Sequence, residues 1–225
     1  MPNRLLPSIV LIAVVLLSCW GCSGGDGDSS TQTATTATTQ TTGQINPPAP
    51  VPQYPVMPEV ALSEAAEEEC RGIREGKPMP EIELADLEGA SQSLHGLFGE
   101  TLTVVLFWQS GEESYDRTDA EDALWYLGEK IAGPLGERGV RVVSINVGDS
   151  AEVAGERLAA AEVSLPTLLD SDRELFSQVA TTELPRVYLL DPEGVILWFD
   201  PEFSETSRDH LLMGIGSVLK ENLEQ

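Results

Sequence analysis

The stretch TLTVVLFWQSGEESYD, residues 101–116, says most about the architecture of this chain. Its first half, 101–108, is a continuous apolar and β-branched run, which is typical of a strand buried in the centre of a sheet. Its second half changes abruptly to serine, glycine and two adjacent glutamates. The loop at the end of a buried strand is a common location for functional side chains. The stretch therefore predicts a central strand with a candidate site at its C-terminal end.

Helices and strands alternate after this stretch. A first helix should be kinked or ended by Gly133-Pro134. A second buried strand is predicted over 140–147, and a second helix over 150–163 with Ser150 as its N-cap. The first helix buries one face, whose apolar positions are Leu124, Leu127, Ile131 and Leu135.

The C-terminal part predicts a short helix, a hairpin and a closing helix. SDRELFSQVA (171–180) favours the short helix. Strands over 186–190 and 195–199 are joined by the tight turn DPEG and should form the hairpin. The closing helix is amphipathic, with apolar residues Leu211, Leu212, Ile215, Val218, Leu219 and Leu223.

A second hairpin is predicted ahead of the central strand. EIELADLEGASQSL (81–94) alternates Ile82 and Leu84 with polar residues and turns at Glu88-Gly89. The element order is then a hairpin followed by strand, helix, strand, helix, strand, strand, helix. This order predicts an α/β fold with a central mixed β-sheet, helices on both faces and an N-terminal β-hairpin extension.

The N-terminal segment predicts export. Residues 1–18 combine a basic residue, Arg4, with the apolar run 5–17, which has the length of a signal peptide and is too short to span a bilayer. Cys19 follows Leu-Leu-Ser, an arrangement that resembles the lipidation site of bacterial lipoproteins, and Cys22 is the alternative. A membrane-anchored extracytoplasmic lipoprotein is predicted, on the periplasmic side or the cell surface; a non-cleaved anchor or plain secretion are the other possibilities.

Residues 19–58 comprise the lipid-attachment site and a tether that leads to the folded part. Its Thr/Ser/Gln tract and its Pro-rich end lack core-forming residues and should stay extended and unfolded. An acidic helical lead-in is predicted over 59–75, followed by the domain proper, 76–225. The net charge of −24 argues against nucleic acid or an anionic membrane surface as a partner, because both would be repelled.

None of the three cysteines suits a redox centre. Cys19-Trp-Gly-Cys22 has C-x-x-C spacing, but it lies at the end of a hydrophobic signal and not at a helix N-terminus. Cys70 is surrounded by glutamates, which raise a thiol pKa. Cys22 and Cys70 could pair in an oxidising compartment; a spectator thiol or an intermolecular disulfide fits equally well.

The order of elements and four stretches resemble the thioredoxin-like superfamily. The similarity is to membrane-tethered thiol–disulfide oxidoreductases of the TlpA/ResA type and to AhpC/TSA redoxin-like domains, and it covers roughly residues 76–224. The stretches are GKPMPEIELADLEGASQSL (76–94), TVVLFWQS (103–110), VSLPTLLDSDRELFSQV (163–179) and ELPRVYLLDPEGVIL (183–197).

This resemblance implies a thioredoxin-like fold with a cis peptide bond at Leu184-Pro185 beside a groove that binds extended polypeptide. The residues it places at the groove are Trp108, Ser110, Glu112, Glu113, Tyr115, Leu184, Pro185 and Arg186. A trans proline that merely starts a strand is the alternative for Pro185, and core packing is the favoured role for Trp108.

The chain departs from the family at the catalytic cysteines. The family pattern puts them at positions 112 and 115, where this sequence has Glu112 and Tyr115, and no cysteine lies between 71 and 225. Without a thiolate, the turn cannot perform thiol–disulfide exchange. Ser110 and Glu113 instead fit a capping box at the start of a helix.

The acidic residues after Ser110 also suggest roles other than a helix cap. A cation or amine site formed by Glu112, Glu113, Asp116 and Asp119 lacks the fixed spacing of a calcium loop, so no metal is expected. Arg186, where the family usually has threonine, could pair with the glutamates. His95 and His210 have no neighbouring ligand residues and are assigned no role.

The sequence favours a redox-inactive binding or scaffold module over an enzyme. No catalytic residue and no cofactor is predicted, and the partner is expected to be an envelope protein or peptide. The alternative is a thiol–disulfide oxidoreductase or redoxin-type enzyme that uses Cys70, Cys22 or a cysteine supplied by a partner.

Overall fold

The computed structural model describes residues 57–59, 73–111, 114–180 and 184–224. The chain divides into two units, Met1–Ala49 and Pro50–Gln225, and every described residue belongs to the second. The predicted signal segment, the candidate lipidation cysteines, most of the tether and nearly all of the acidic lead-in lie outside the described residues. Those predictions stay predictions.

Seven strands of the described chain form one mixed sheet in the spatial order β2-β1-β5-β4-β3-β6-β7. β3 is parallel to β4 and β4 to β5, whereas the other neighbours are antiparallel. The strands are β1 (Glu83–Asp86), β2 (Ser91–Ser93), β3 (Leu102–Trp108), β4 (Val140–Val147), β5 (Thr167–Asp170), β6 (Arg186–Leu190) and β7 (Ile196–Asp200). The predicted mixed sheet and its N-terminal hairpin are confirmed.

Four helices cover the sheet within the described residues. They are α1 (Ser114–Tyr126), which continues through a π-helical stretch (Leu127–Ala132) and a last turn (Gly133–Leu135), α2 (Ala151–Ala160), α3 (Glu174–Val179) and α4 (Glu205–Glu224). Short 3₁₀ turns occupy His95–Leu97 and Gly136–Arg138. None of these helices has the length and hydropathy needed to cross a membrane.

The residues predicted to start α2 and to interrupt α1 do so in the structure. Ser150 caps α2, since its hydroxyl accepts a hydrogen bond from the Val153 amide at 3.3 Å. The regular part of α1 ends at Tyr126, ahead of Pro134. Proline lacks an N–H and its ring crowds the carbonyl four residues earlier, which accounts for the widened π-helical turn before it.

The sheet separates two hydrophobic cores. Along β3, Val104, Leu106 and Trp108 face one core, with α1, α2 and α4. Val105 and Phe107 face the other, with α3 and the 3₁₀ turn after β2. Burial of each such side chain stabilises the fold by about 1.5–3 kcal/mol. Because all seven residues of β3 are buried, this strand lies at the centre, as its sequence predicts.

One element of the expected order was wrong. No strand was predicted after Pro166, and the structure shows β5 there. β5 is only four residues long and pairs with β4 on one side and β1 on the other. Its strand character comes from these two neighbours more than from its own short sequence. The last strand, β7, is also shifted one residue from its predicted range, 195–199.

Candidate functional site

Three loops meet at one edge of the sheet. Phe107 near the end of β3 pairs with Arg186 at the start of β6, and Val187 of β6 pairs with Asp200 at the end of β7. The segments just beyond these pairs are therefore neighbours: the loop 109–111, the dipeptide Leu184-Pro185 and the loop 201–204. This edge carries the turn that the sequence singled out.

The loop after β3 is tied to the end of β4. The backbone N–H of Ser110 donates to Asp149 Oδ2 at 2.7 Å, and the Ser110 hydroxyl donates to Asp149 Oδ1 at 3.2 Å. Asn146 Nδ2 donates to the same Oδ2 at 2.8 Å, and the Asp149 amide returns a bond to Asn146 Oδ1 at 3.2 Å. One carboxylate thus joins the ends of two parallel strands.

This arrangement changes the interpretation of Ser110. In a capping box its amide would donate to Glu113, but it donates to Asp149 instead. Glu112 and Glu113 lie outside the described residues, and Tyr115 falls in the first turn of α1. Asp149 was not singled out from the sequence. Its position two residues after a buried strand parallel to β3 was the available signal, since such ends meet at one edge.

The peptide bond between Leu184 and Pro185 is cis. The resemblance to the thioredoxin-like superfamily predicted this bond, and the structure confirms it. Both residues are half-buried and line a cleft. Pro185 therefore presents part of its surface to solvent at the edge where the three loops meet.

The cleft beside Pro185 has a volume of about 420 Å³. We call it the cis-proline cleft, and it is lined by Asp119, Leu184, Pro185, Pro201, Glu202, Phe203 and Ser204. α1 contributes Asp119, and the loop after β7 contributes the last four residues. The sequence did not indicate the 201–204 loop, because it joins the site only through the β6–β7 hairpin.

The loop 201–204 is held at both of its ends. Asp200 Oδ1 accepts a hydrogen bond from the Glu202 amide at 3.0 Å. Ser204 and Ser207 cap the start of α4 reciprocally: each backbone N–H donates to the other hydroxyl, at 3.1 and 3.2 Å. These bonds satisfy amides at a helix start and fix the path of the loop.

Phe203 is further supported by an aromatic and cationic cluster. The Arg208 guanidinium lies 5.1 Å from the Phe203 ring and 4.9 Å from the Tyr126 ring. The two rings meet edge to face at 5.8 Å, and Arg208 Nη2 contacts Asp122 Oδ2 at 2.5 Å. Burial raises the pKa of Tyr126, partly offset by the charge of Arg208. The cluster holds one wall of the cleft against α1.

The other predicted groove residues lie deeper. Trp108 is fully buried in the core, as its core-packing interpretation expects, and Ser110, within the loop after β3, is also buried. Arg186 is also fully buried, opposite Phe107 within the sheet. Its hypothesised pairing with Glu112 and Glu113 falls outside the described residues.

The candidate cation site of Glu112, Glu113, Asp116 and Asp119 falls outside the described side chains except for Asp119. The His95 ring packs against Phe98 in a tilted arrangement, with ring centroids 4.7 Å apart. Among the residues that the structure describes, no group of three or more His, Cys, Asp or Glu side chains is arranged to hold a metal ion. What the edge offers chemically is an open cleft with apolar surface and exposed carboxylates.

Comparison with known proteins places the chain in a family. The model of the AhpC/TSA family matches residues 76–199, more than half of the chain. The thiol-disulfide oxidoreductase ResA of Bacillus subtilis (strain 168) is 28% identical over 125 residues, which cover 56% of this chain and 66% of ResA, slightly less than two thirds.

Solved structures agree on the fold. A Bacteroides thetaiotaomicron protein proposed to be a protein disulfide isomerase has a TM-score of 0.57 at 18% identity, covering 68% of this chain and 94% of its own. A Chlorobium tepidum protein proposed to be the thiol:disulfide interchange protein DsbE has a TM-score of 0.56 at 18% identity, covering 65% and 99%. These likenesses show a thioredoxin-like fold, and the family match shows that the chain belongs to the AhpC/TSA family.

Proposed function

We propose that this protein is a lipid-anchored, extracytoplasmic, thioredoxin-like binding or scaffold module that is redox-inactive and holds a polypeptide segment of an envelope partner in its cis-proline cleft. The proposal rests on which residues occupy positions 112 and 115. Where the resemblance expects cysteines, the chain has Glu112 and Tyr115. Its cysteines are Cys19, Cys22 and Cys70, all ahead of the matched region.

The chemistry of thiol–disulfide exchange explains why the residues at positions 112 and 115 matter. Thiol–disulfide exchange proceeds through a thiolate that attacks a disulfide sulfur, and a carboxylate or phenol offers neither nucleophile nor sulfur leaving group. The cis-proline cleft, in contrast, keeps what a binding site needs. It has apolar surface from Pro185, Pro201 and Phe203, and open space of about 420 Å³.

The proposed location rests on the N-terminal sequence. Residues 1–18 have the features of a signal peptide, Cys19 or Cys22 supplies a lipidation site, and the tether separates the anchor from the folded head. The relatives named thiol-disulfide oxidoreductase and thiol:disulfide interchange protein support an envelope location, where disulfide chemistry takes place.

Redox inactivity is tested by disulfide reduction. The full chain, purified in detergent, is expected to give no catalysed reduction of insulin by dithiothreitol above background. The control variants are Cys70→Ser and Cys22→Ser. Turnover by the unmodified chain that Cys70→Ser abolishes would support the enzyme alternative and contradict the proposal.

The anchor is tested by labelling cells with a radioactive fatty acid. The expected result is incorporation that Cys19→Ser abolishes and Cys22→Ser leaves unchanged. Loss of label in Cys22→Ser alone would show that Cys22 carries the lipid, and the lipid anchor would still be supported. Absence of label in the unmodified chain would overturn lipid anchoring.

Polypeptide binding is tested with a fluorescently labelled, reduced and alkylated insulin chain. Phe203→Ala removes an apolar wall of the cis-proline cleft and is expected to weaken binding. Leu212→Ala is the control, because it removes an exposed apolar side chain of α4 that does not line the cleft. Equal binding by both variants would place the contact elsewhere, and no binding by the unmodified chain would contradict the scaffold function.

A further inference from the structure

The cis-proline cleft carries two carboxylates without a cationic partner. Asp119 on α1 and Glu202 on the loop after β7 both line it, and both are exposed. Within the described residues, neither side chain takes part in an ion pair or a hydrogen bond. Two elements thus present negative charge to the same cleft.

The next carboxylates along α1 differ. Glu121 Oε1 lies 2.6 Å from Arg157 Nη1 of α2, and Asp122 Oδ2 lies 2.5 Å from Arg208 Nη2 of α4. These pairs link α1 to its neighbouring helices and leave little net charge there. Of the α1 carboxylates whose side chains are described, Glu121 and Asp122 are therefore paired with arginines, whereas Asp119 faces the cleft without such a partner.

The chain has few cations to supply at the cleft. It contains 13 basic and 37 acidic residues. Among the arginine side chains that the structure describes, Arg186, next to Pro185, is fully buried in the sheet, and Arg208 contacts Asp122 and two aromatic rings. A cleft walled by low-dielectric surface and lined by one sign of charge concentrates the opposite charge.

We propose that the cis-proline cleft selects extended polypeptides in which a lysine or arginine lies next to an apolar residue. The cation is held by Asp119 and Glu202, while the apolar neighbour packs on Phe203 and Pro185. This inference rests on the proposed function, since it requires that the cleft binds polypeptide. It adds the chemical class of the ligand and names Asp119 and Glu202 as the residues that recognise its cation.

The cation is recognised mainly through charge. Exposed ion pairs are individually weak and are screened by salt, so discrimination should be modest and should fall as the ionic strength rises. The apolar contacts with Phe203 and Pro185 should be insensitive to salt. These different salt dependences separate the two contributions.

The test uses three synthetic peptides that share one leucine- and serine-containing sequence and differ at a central arginine, glutamine or glutamate. Binding to the full chain is measured by fluorescence anisotropy at low and physiological salt. We expect the arginine peptide to bind about fivefold more tightly than the glutamine peptide at low salt, and the glutamate peptide to bind least.

Two double variants locate the effect. Asp119→Asn/Glu202→Gln should bind the arginine and glutamine peptides alike. Glu129→Gln/Glu193→Gln removes the same net charge from exposed positions outside the cleft and should keep the preference. All four side chains are exposed, so neither double variant is expected to destabilise the fold. Urea unfolding midpoints equal to that of the unmodified chain will verify this.

The outcomes separate this inference from the proposed function. If all three peptides bind equally and Phe203→Ala weakens them all, the basic preference is overturned and the binding function stands. If the preference falls equally in both double variants, long-range charge and not the cleft carboxylates is responsible, which also overturns it. If no peptide binds, both are overturned.

Discussion

At the edge of the sheet beside Pro185, Ser110 in the loop after β3 bonds to another part of the protein, whereas Glu202 in the loop after β7 presents its carboxylate to solvent. Ser110 gives both its amide and its hydroxyl to Asp149. Glu202, in the second loop, gives only its amide to Asp200 and leaves its carboxylate exposed in the cleft.

This difference suits one carboxylate to a structural role and the other to ligand binding at the same edge of the sheet. A carboxylate that already accepts several internal hydrogen bonds has little acceptor capacity left for a ligand. An exposed carboxylate on a loop whose backbone is fixed can hold a ligand without rearrangement. Ser110 thus acts as structural support at the end of β3, and the surface proposed to bind lies on the loop after β7.

The largest expected effect comes from restoring cysteines to the loop after β3. Glu112→Cys with Tyr115→Cys recreates C-x-x-C at the family positions, and a thiol in the first turn of α1 gains from the helix dipole. We expect measurable insulin reduction by this double variant. Glu113→Cys with Tyr115→Cys, which has the wrong spacing, should give none.

Equal turnover by both cysteine pairs would show that spacing is unimportant and that any exposed dithiol suffices. No turnover by either would contradict the view that the loop lacks only its sulfurs.

The next effect is on stability. Asp149→Ala leaves the buried Ser110 amide and the buried Asn146 side chain without their acceptor. The free energy of unfolding should fall by about 3 kcal/mol, measured by urea denaturation. Glu202→Ala, in the other loop, should change it by less than about 0.5 kcal/mol. Similar losses in the two variants would remove the distinction between the loops.

A smaller loss is expected at the wall of the cleft. Arg208→Leu removes the contact with Asp122 and the stacking on Tyr126 and Phe203. We expect a decrease of about 1 kcal/mol in the free energy of unfolding, together with weaker peptide binding. Arg208→Lys keeps the charge but not the planar guanidinium, so it should restore part of both. Unchanged peptide binding in Arg208→Leu would show that the cluster does not position Phe203.

The smallest effect is in the titration of Tyr126. Burial raises the pKa of this phenol, and the positive charge of Arg208 lowers it. Arg208→Leu should therefore raise the pKa further, as measured from the phenolate absorbance with Tyr126→Phe as the reference for the other tyrosines. An unchanged or lower pKa would show that Arg208 does not act on the ring.

The pH dependence of stability follows from the same shift. The folded-state pKa of Tyr126 lies above the ordinary value of 10.0, so the folded state retains this proton where the unfolded state has lost it. The contribution of the Tyr126 proton to the stability is fully present below pH 10. It decreases as the pH rises through the folded-state pKa of Tyr126. Tyr126→Phe should remove this part of the alkaline decrease.

Much of the fold could be predicted because its signals are local. The apolar runs of β3 and β4 were predicted to within a residue of their bounds, and Ser150 caps α2 as its position suggested. β5 was missed because four residues after a proline carry too little pattern, and it becomes a strand by pairing with neighbours on both sides. The cis bond before Pro185 came from family resemblance and not from local composition.

The sequence by itself determined the central strand, the absence of sulfur at positions 112 and 115, and the acidic balance of the chain. These depend on residue identity and short-range periodicity. Only the tertiary structure decided that Asp149 holds the loop after β3, and that Phe203 and Glu202 join Asp119 and Pro185 at one cleft. The physical reason is that strand pairing brings together residues far apart in the chain, and no local pattern records which distant partners will meet.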